Sequence, residues 1–375
     1  MTTRTPAQLA TYLSFFAAGF GLACWAPLVP FAKARTGVDD GELGLLLLCL
    51  GIGSIVTMPL TGWLSTRWGT KPIAIGGGIG LALMLPLLSV ADTPALLAAV
   101  LLLFGASLGT LDVAMNIHAV EVERQLGRPL MSGFHGMFSI GGFAGSGGMT
   151  VLLSNAMPPS LAALAGGVLT LVAIILAWPR LLTARGEPTK FVLPRGIVLL
   201  LALLCAITFL VEGSLLDWSA LLVIDRGLAD ATHGGFGYML FAIAMTVGRV
   251  TGDRVVAWAG NRRVLIWGGV LAVAGFAVLL TASLNVIALA GFLLIGLGAS
   301  NLVPVLVRLA GRQTVMPAGL AVAAITVTGY AGILAGPAGV GFVSRTFDLP
   351  TAFWALAGLM SLVPLLARPV TRSDG

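Results

Sequence analysis

Twelve apolar runs, each close to the length a helix needs to cross hydrocarbon, follow one another through the 375 residues with short breaks between them. They fall at 9–32, 43–66, 72–92, 95–120, 131–155, 160–180, 196–224, 234–258, 263–283, 286–309, 317–344 and 350–368. A bilayer core takes roughly 20 helical residues, and inside it every backbone N–H and C=O must be satisfied without water. The pattern therefore predicts an all-α polytopic membrane protein of twelve transmembrane helices. Composition agrees: 10% of residues are charged, against about 25% in a soluble domain. The first run is long enough to span and is followed by many more, so it reads as the first span and not as a signal peptide.

Lysine and arginine set the expected orientation. With a cytoplasmic N-terminus, 17 of them fall inside, among them Arg4, Arg67, Lys71, Arg128, Arg185, Lys190, Arg254 and Arg372. Only Lys33, Arg35, Arg226 and Arg345 fall outside. Both termini are expected in the cytoplasm, with the chain multi-pass in the plasma (inner) membrane. The net charge of +6 does not point to nucleic acid, because the basic residues stand singly between apolar runs. Cys24, Cys49 and Cys205 lie inside apolar runs without metal or redox spacing and read as small packing residues. Trp63, Trp68, Trp178 and Trp218 read as interfacial belt anchors.

The longest hydrophilic break, Thr183 to Lys190, separates the sixth run from the seventh. It divides the chain into two expected six-helix bundles, residues 1–187 and 188–375. Adding 191 takes Gly69 to Gly260, Lys71 to Arg262, Gly105 to Gly296, Gly141 to Gly332 and Gly145 to Gly336. One constant offset over three elements marks an internal repeat. Many transporters are built from two such repeats, with the substrate near the bilayer midplane.

Ionisable groups within the spans are the functional candidates, since an acid in hydrocarbon costs about 2.5–3.5 kcal/mol even on gentle insertion scales. In the fourth run Gly105, Gly109, Asp112 and Asn116 form one helical stripe. Asp112 reads either as a structural hydrogen-bonding partner or as a group that binds substrate or protons. In the seventh run Cys205, Thr208, Glu212 and Ser219 share a face. Desolvation there disfavours a carboxylate's charged form, which suits Glu212 to proton coupling; a buried ion pair, or a neutral carboxyl bonded to a neighbouring helix, is the other reading. Asp217 lies nearer the outer face, open equally to solvation and to a coupling role. Trp25, His135, Asn301 and Tyr330 are candidate cavity-lining groups that can equally be packing residues, and His118 reads as a satisfied interfacial histidine.

Motifs for catalysis are not found. There is no phosphate-loop glycine-lysine motif and no His-Glu-x-x-His. The expectation is a protein that is not an enzyme and takes no cofactor or metal. A receptor would need a signalling domain or a large exposed loop, and neither is seen.

The second and third runs are joined by Gly62-Trp-Leu64-Ser-Thr66-Arg67-Trp-Gly69-Thr-Lys71. This resembles the loop signature of the major facilitator superfamily, Gly-x-Leu-Ala-Asp-Arg-x-Gly-Arg-Lys, with Thr66 replacing the acid. The second half carries a counterpart, Gly248-Arg249-Val-Thr-Gly252-Asp253-Arg254 and then Gly260-Asn-Arg262-Arg263. The resemblance covers essentially the whole chain and implies alternating access, with Gly62, Arg67, Gly69, Lys71, Arg249, Asp253 and Arg254 in conformational gating. Gly109-Thr-Leu-Asp112-Val-Ala-Met-Asn116, with Gly127-Arg128-Pro129 and Phe134-His135-Gly136, resembles the fucose/glucose:proton symporter branch. That likeness implies sugar binding or proton linkage at Asp112. The branch's acid in the first span is replaced here by Ala26, and adding 191 to 26 gives Asp217, a candidate substitute.

The expected function is therefore proton-coupled secondary transport of a small polar solute, a sugar or related metabolite, by a monomer in the lipid bilayer. Substrate is expected between Trp25, Asp112 and Asn116 of one half and Glu212, Asn301 and Tyr330 of the other, with His135 nearby. Gly332-Ile-Leu-Ala-Gly336-Pro337 resembles an exporter motif, so proton-driven export of drugs or metabolites is the alternative.

Overall fold

The computed structural model describes residues 5–127, 130–185 and 193–371. Arg4, Arg128, Pro129, Lys190, Arg372 and the 187/188 boundary lie outside the described residues, as does the side chain of Asp253. The described residues form helices joined by turns and contain no strand. In chain order the helices are α1 (Pro6–Thr36), α2 (Asp40–Trp68), α3 (Thr70–Leu88), α4 (Pro94–Leu126), α5 (Met131–Ser154) and α6 (Pro159–Arg180). They continue with α7 (Ile197–Asp225), α8 (Phe236–Ala259), α9 (Asn261–Thr281), α10 (Asn285–Arg312), α11 (Ala318–Thr346) and α12 (Leu349–Val370). Eleven are long and apolar enough to cross a membrane, and α8 carries a shorter apolar stretch, Phe236–Gly252. These are the twelve runs read from the sequence.

Local chemistry starts and stops the helices. Thr5, Thr93 and Asp348 accept from the backbone N–H three residues on, each with proline in the first turn. Gly37 and Gly127 close α1 and α4 in the left-handed region that favours glycine. A 3₁₀ turn at Ala26–Leu28 interrupts α1, and a turn at Ser300–Asn301 interrupts α10.

The helices cluster into two compact units. One comprises 1–39, 45–189 and 230–239; the other comprises 40–44, 190–229 and 240–375. Within each unit glycines let backbones touch. In the first, Gly105 of α4 rests on the Leu50 carbonyl of α2; in the second, Gly296 of α10 rests on the Phe241 carbonyl of α8. Gly77 of α3 lies against Ser107 and Leu111, and Gly268 of α9 against Gly298 and Leu302. Arg35 donates to the carbonyls of Leu88 and Ala91 at the end of α3, at 2.7 Å each. Arg226 does the same for Leu279 and Ala282 at the end of α9. These guanidiniums satisfy the orphan carbonyls at helix C-termini, where a cation is also favoured by the dipole. Each pair of contacts is related by an offset of 191, so the repeat is one of contacts as well as of residue types.

One register differs. Gly141 and Gly145 of α5 lie on the carbonyls of Phe16 and Phe20, while Gly332 and Gly336 of α11 lie on those of Ala206 and Leu210. The glycines keep 191, but their partners on α1 and α7 are offset by 190. By Arg35 and Arg226 the offset is 191 again. A one-residue slip therefore lies between Phe20 and Arg35, the interval that contains the 3₁₀ turn of α1. Ala26 falls inside it, so its counterpart is either Leu216 or Asp217.

Candidate functional site

In the first unit the polar stripe of α4 serves two ends. Gly105 and Gly109 are buried against Leu50 and Ser54 of α2, and the Ser54 hydroxyl donates to the Gly105 carbonyl at 2.7 Å. One and two turns further along, Asp112 and Asn116 are half-buried. The Asn116 amide donates to the Asp112 carbonyl at 2.9 Å and to its carboxylate at 3.4 Å. Asp112 is thus partnered from its own helix, at the i, i+4 spacing that brings two side chains onto one face. Trp25 is fully buried one residue before the 3₁₀ turn, and its indole N–H has no hydrogen-bond partner among the described residues. His135 is exposed, with its ring edge-on to Phe15 at 5.1 Å between centroids.

His118, by contrast, is 1% exposed. Its Nε2 accepts from the Leu182 backbone N–H at 2.9 Å, and its Nδ1 lies 3.1 Å from the Thr11 hydroxyl. That hydroxyl donates to the Ala7 carbonyl, leaving its oxygen to accept. The proton of a neutral His118 therefore sits on Nδ1. The residue ties α1, α4 and the segment after α6 together as a satisfied core histidine.

In the second unit Glu212 faces a cation. Its Oε2 accepts from Arg249 of α8 at 3.4 Å, with the two side chains 18% and 25% exposed. Its Oε1 is buried and has no hydrogen-bond partner among the described residues. One turn before it, Phe209 stacks on Tyr330 of α11, the centroids 6.2 Å apart and the planes 11° from parallel. Cys205 and Thr208 are buried on the same stretch of α7, and so is Ser219, whose hydroxyl has no partner among the described residues. The structure thus brings Glu212 near Tyr330 through Phe209 and gives Glu212 an arginine. The sequence places that arginine only in a loop motif; it lies inside α8, 37 residues from its partner, and no local pattern announces the pair.

Other candidates stand apart. Asp217 is 5% exposed and so does not face solvent. Trp218 corrects the expectation of a belt anchor: it is fully buried, and its indole donates to the Pro337 carbonyl of α11 at 3.1 Å. Trp63, Trp68 and Trp178 are exposed, as belt residues should be. Asn301 sits at the break in α10, where its amide donates to the Gly248 carbonyl and the Ser300 hydroxyl, both at 3.0 Å. Of the loop residues, Gly69 and Gly260 precede α3 and α9 at φ +77° and +80° with extended ψ, a region essentially reserved for glycine. Thr66, in the place of the motif's acid, turns its hydroxyl back to the Trp63 carbonyl. Arg67 and Arg254 are exposed, Lys71 and Gly62 half-exposed.

Comparison with known proteins agrees with this architecture. A sequence model of the Major Facilitator Superfamily matches residues 11–312. An uncharacterized MFS-type transporter of Yersinia pestis is 50% identical over 97% of this chain and 96% of its own length. An uncharacterized transporter of Sinorhizobium fredii is 32% identical over 94% and 95%. Among solved structures, that of a mutant of the nucleoside transporter NupG superposes with a TM-score of 0.77, covering 98% of this chain and 100% of that one at 14% identity.

Proposed function

Because this chain belongs to the major facilitator superfamily, and so is a multi-pass membrane transporter and not an enzyme, we propose that it couples proton movement to transport of a small polar solute. The observation that carries the coupling is Glu212. A carboxyl well inside a span, with one oxygen on Arg249 and the other unpartnered, has two states that neighbouring charge can balance. As a carboxylate it neutralises Arg249. Protonated, it releases Arg249 and gains an O–H to donate. Moving between these states changes the charge that a closing low-dielectric pathway must enclose, which is how protonation can gate a transporter.

The solute class rests on the groups left with bonding capacity. The indole N–H of Trp25 donates, Glu212 Oε1 accepts, and Ser219 can do either; a buried polar atom without a partner costs about 1–3 kcal/mol until something satisfies it. Within the first unit Asp112 and Asn116 add a carboxylate and an amide, and within the second the Phe209–Tyr330 stack adds flat apolar area. Hydroxyl-rich rings suit either set. A neutral sugar fits it, in keeping with the fucose-permease-like segment around Asp112, and so does a nucleoside, the solute class in the name of the structural neighbour. His135 and Asn301 are assigned lesser parts, since one is exposed and the amide of the other is committed to Gly248 and Ser300; Asp217, buried two residues before Ser219, is kept as a second candidate acid. The exposed arginines and the two ε-region glycines of the loop motifs serve gating in this scheme, in the plasma membrane and with cytoplasmic termini.

The test uses purified protein in liposomes, loaded at one pH and diluted into another, with radiolabelled fucose, glucose and uridine as probes. Gradient-dependent flux of one of them, lost in Glu212→Gln, is the expected result. Flux that ignores the gradient and survives both Glu212→Gln and Asp112→Asn sinks the coupling assignment. Everted against right-side-out vesicles separates uptake from export.

A further inference from the structure

On the flank of the second unit, α8, α9 and α10 leave a groove of about 320 Å³. It is walled by Trp258 and Trp267, floored by Leu271, Leu297 and Gly298, and Arg263 lies at one end. Trp258 is 87% exposed and Trp267 68%, unusually bare for the largest apolar side chain. Trp258 closes α8 and Trp267 lies one turn beyond Arg263 on α9, so amphipathic rings of the kind that gather at a membrane surface flank the arginine. From Arg263 to Leu271 the groove follows eight residues of α9, about 12 Å of helix.

The arginine end is cationic and open. Arg262 and Arg263 are both exposed in the first turn of α9, and neither is in an ion pair with a described residue. The Gly260 cap supplies no side-chain acceptor to that turn.

The repeat offers an internal comparison. Subtracting 191 takes Trp258 to Arg67, Arg263 to Pro72, Trp267 to Gly76 and Leu271 to Gly80. The first unit therefore lacks both aromatic walls and the Arg263 cation, while Lys71 keeps the charge of Arg262 and Arg67 stands in the place of Trp258. There the equivalent helix start is also covered by protein: Thr70 N–H of α3 donates to the Ala184 carbonyl at 2.8 Å, and Thr183 packs on Gly69. The same fold built without these features shows that the scaffold does not require them.

We propose that this groove binds a phospholipid with an anionic headgroup, the phosphate at Arg262 and Arg263 and one acyl chain lying between Trp258 and Trp267 toward Leu271. The length suits the upper part of an acyl chain, the walls are apolar, and an anionic head meets the two positive charges, as basic groups attract an anionic surface. A zwitterionic lipid would gain the walls but not the charge.

Native mass spectrometry of the purified full-length protein tests this, titrating delipidated sample with phosphatidylglycerol or with phosphatidylcholine of the same acyl chains. Phosphatidylglycerol is expected to bind at least about tenfold more tightly. Arg262→Gln with Arg263→Gln should bring it down to the phosphatidylcholine level, while Arg262→Lys with Arg263→Lys keeps most of the preference. Trp267→Ala should weaken both lipids. Lys71→Gln, at the position equivalent to Arg262, should leave the affinity for both lipids unchanged, and millimolar inorganic phosphate should displace neither. Equal binding of the two lipids overturns the proposal, as does a preference that survives in the double glutamine variant or falls equally with Lys71→Gln. Displacement by free phosphate would mean an anion site without the acyl groove, which overturns it too.

Discussion

The two units share their backbone contacts and differ in where they put charge. Glycine-to-carbonyl contacts, arginines on helix C-termini and the glycine turn before α3 and α9 recur at an offset of 191. The acids do not. Asp112 corresponds to Val303 and Arg249 to Met58, while Glu212 corresponds to Gly21 or Leu22, depending on the register. The first unit supports its acid with an amide from the same helix, the second with a guanidinium from another. Backbone approach is dictated by the fold and must be kept in both copies, whereas each copy can hold its charges independently. A pseudo-symmetric scaffold thus carries an asymmetric set of titratable groups.

The shared part of that comparison breaks most severely at the glycines. Gly141→Leu and Gly332→Leu each push a side chain into a carbonyl of the facing helix, and overpacking costs about 1–3 kcal/mol, with an unyielding backbone carbonyl putting these two at the upper end. Thermal unfolding in detergent should show equal large losses in both halves, with Gly142→Ala, where no atom lies within 4 Å, harmless. Loss in one half alone would mean that the contacts are not equivalent.

The divergent part is tested next. Arg249→Gln leaves Glu212 without its counter-charge and should cost about 1–3 kcal/mol, below the 3–5 typical of fully buried pairs because both groups are partly exposed. Adding Glu212→Gln should recover most of this in a double-mutant cycle. Asp112→Asn should cost less than about 1 kcal/mol, since the Asn116 amide can donate to an amide oxygen as well. Equal effects at Asp112 and Arg249 would erase the distinction between the two acids.

Helix starts give a smaller difference. Thr93 caps α4, but its counterpart Leu284 leaves α10 without a side-chain cap. Thr93→Ala should lose about 1 kcal/mol and Leu284→Thr gain a comparable amount, read from the same melting curves. Smallest is an acid limb at Asp230, held down to about 2 from its ordinary value of 3.8 by hydrogen bonds from Thr232 and His233. A depressed carboxyl stabilises the fold above about pH 4 and loses that contribution as pH falls through about 2. Asp230→Asn should remove this limb from a plot of melting temperature against pH. The first-half counterpart Asp39 is followed by Gly41 and Glu42 in place of Thr232 and His233, so the turn chemistry is not repeated.

Helix number and the repeat could be read from the chain because both are written in local composition: apolar run length, and glycines whose spacing survives in each copy. Asp112 and Asn116 could be paired for the same reason, since they lie four apart on one helix. Arg249 could not be assigned to Glu212, because a contact between helices depends on rotation about each axis, which single-residue patterns leave open. Trp218 shows the same limit: its position near a helix end suits a belt residue, but its indole turns inward to Pro337. The register slip in α1 was beyond a constant-offset comparison, since every matched position, from Gly69 onward, lies after it.

His118 has a use that follows from its bonds alone. With Nε2 taken by the Leu182 N–H and the ring proton pointed at Thr11, the imidazole is confined to one tautomer for as long as the segment after α6 stays docked. Nitrogen chemical shifts separate the two tautomers widely. A single ¹⁵N-labelled histidine at 118 would therefore act as a built-in reporter: it would signal undocking of that segment as a change of line position, with no probe attached and no substrate known.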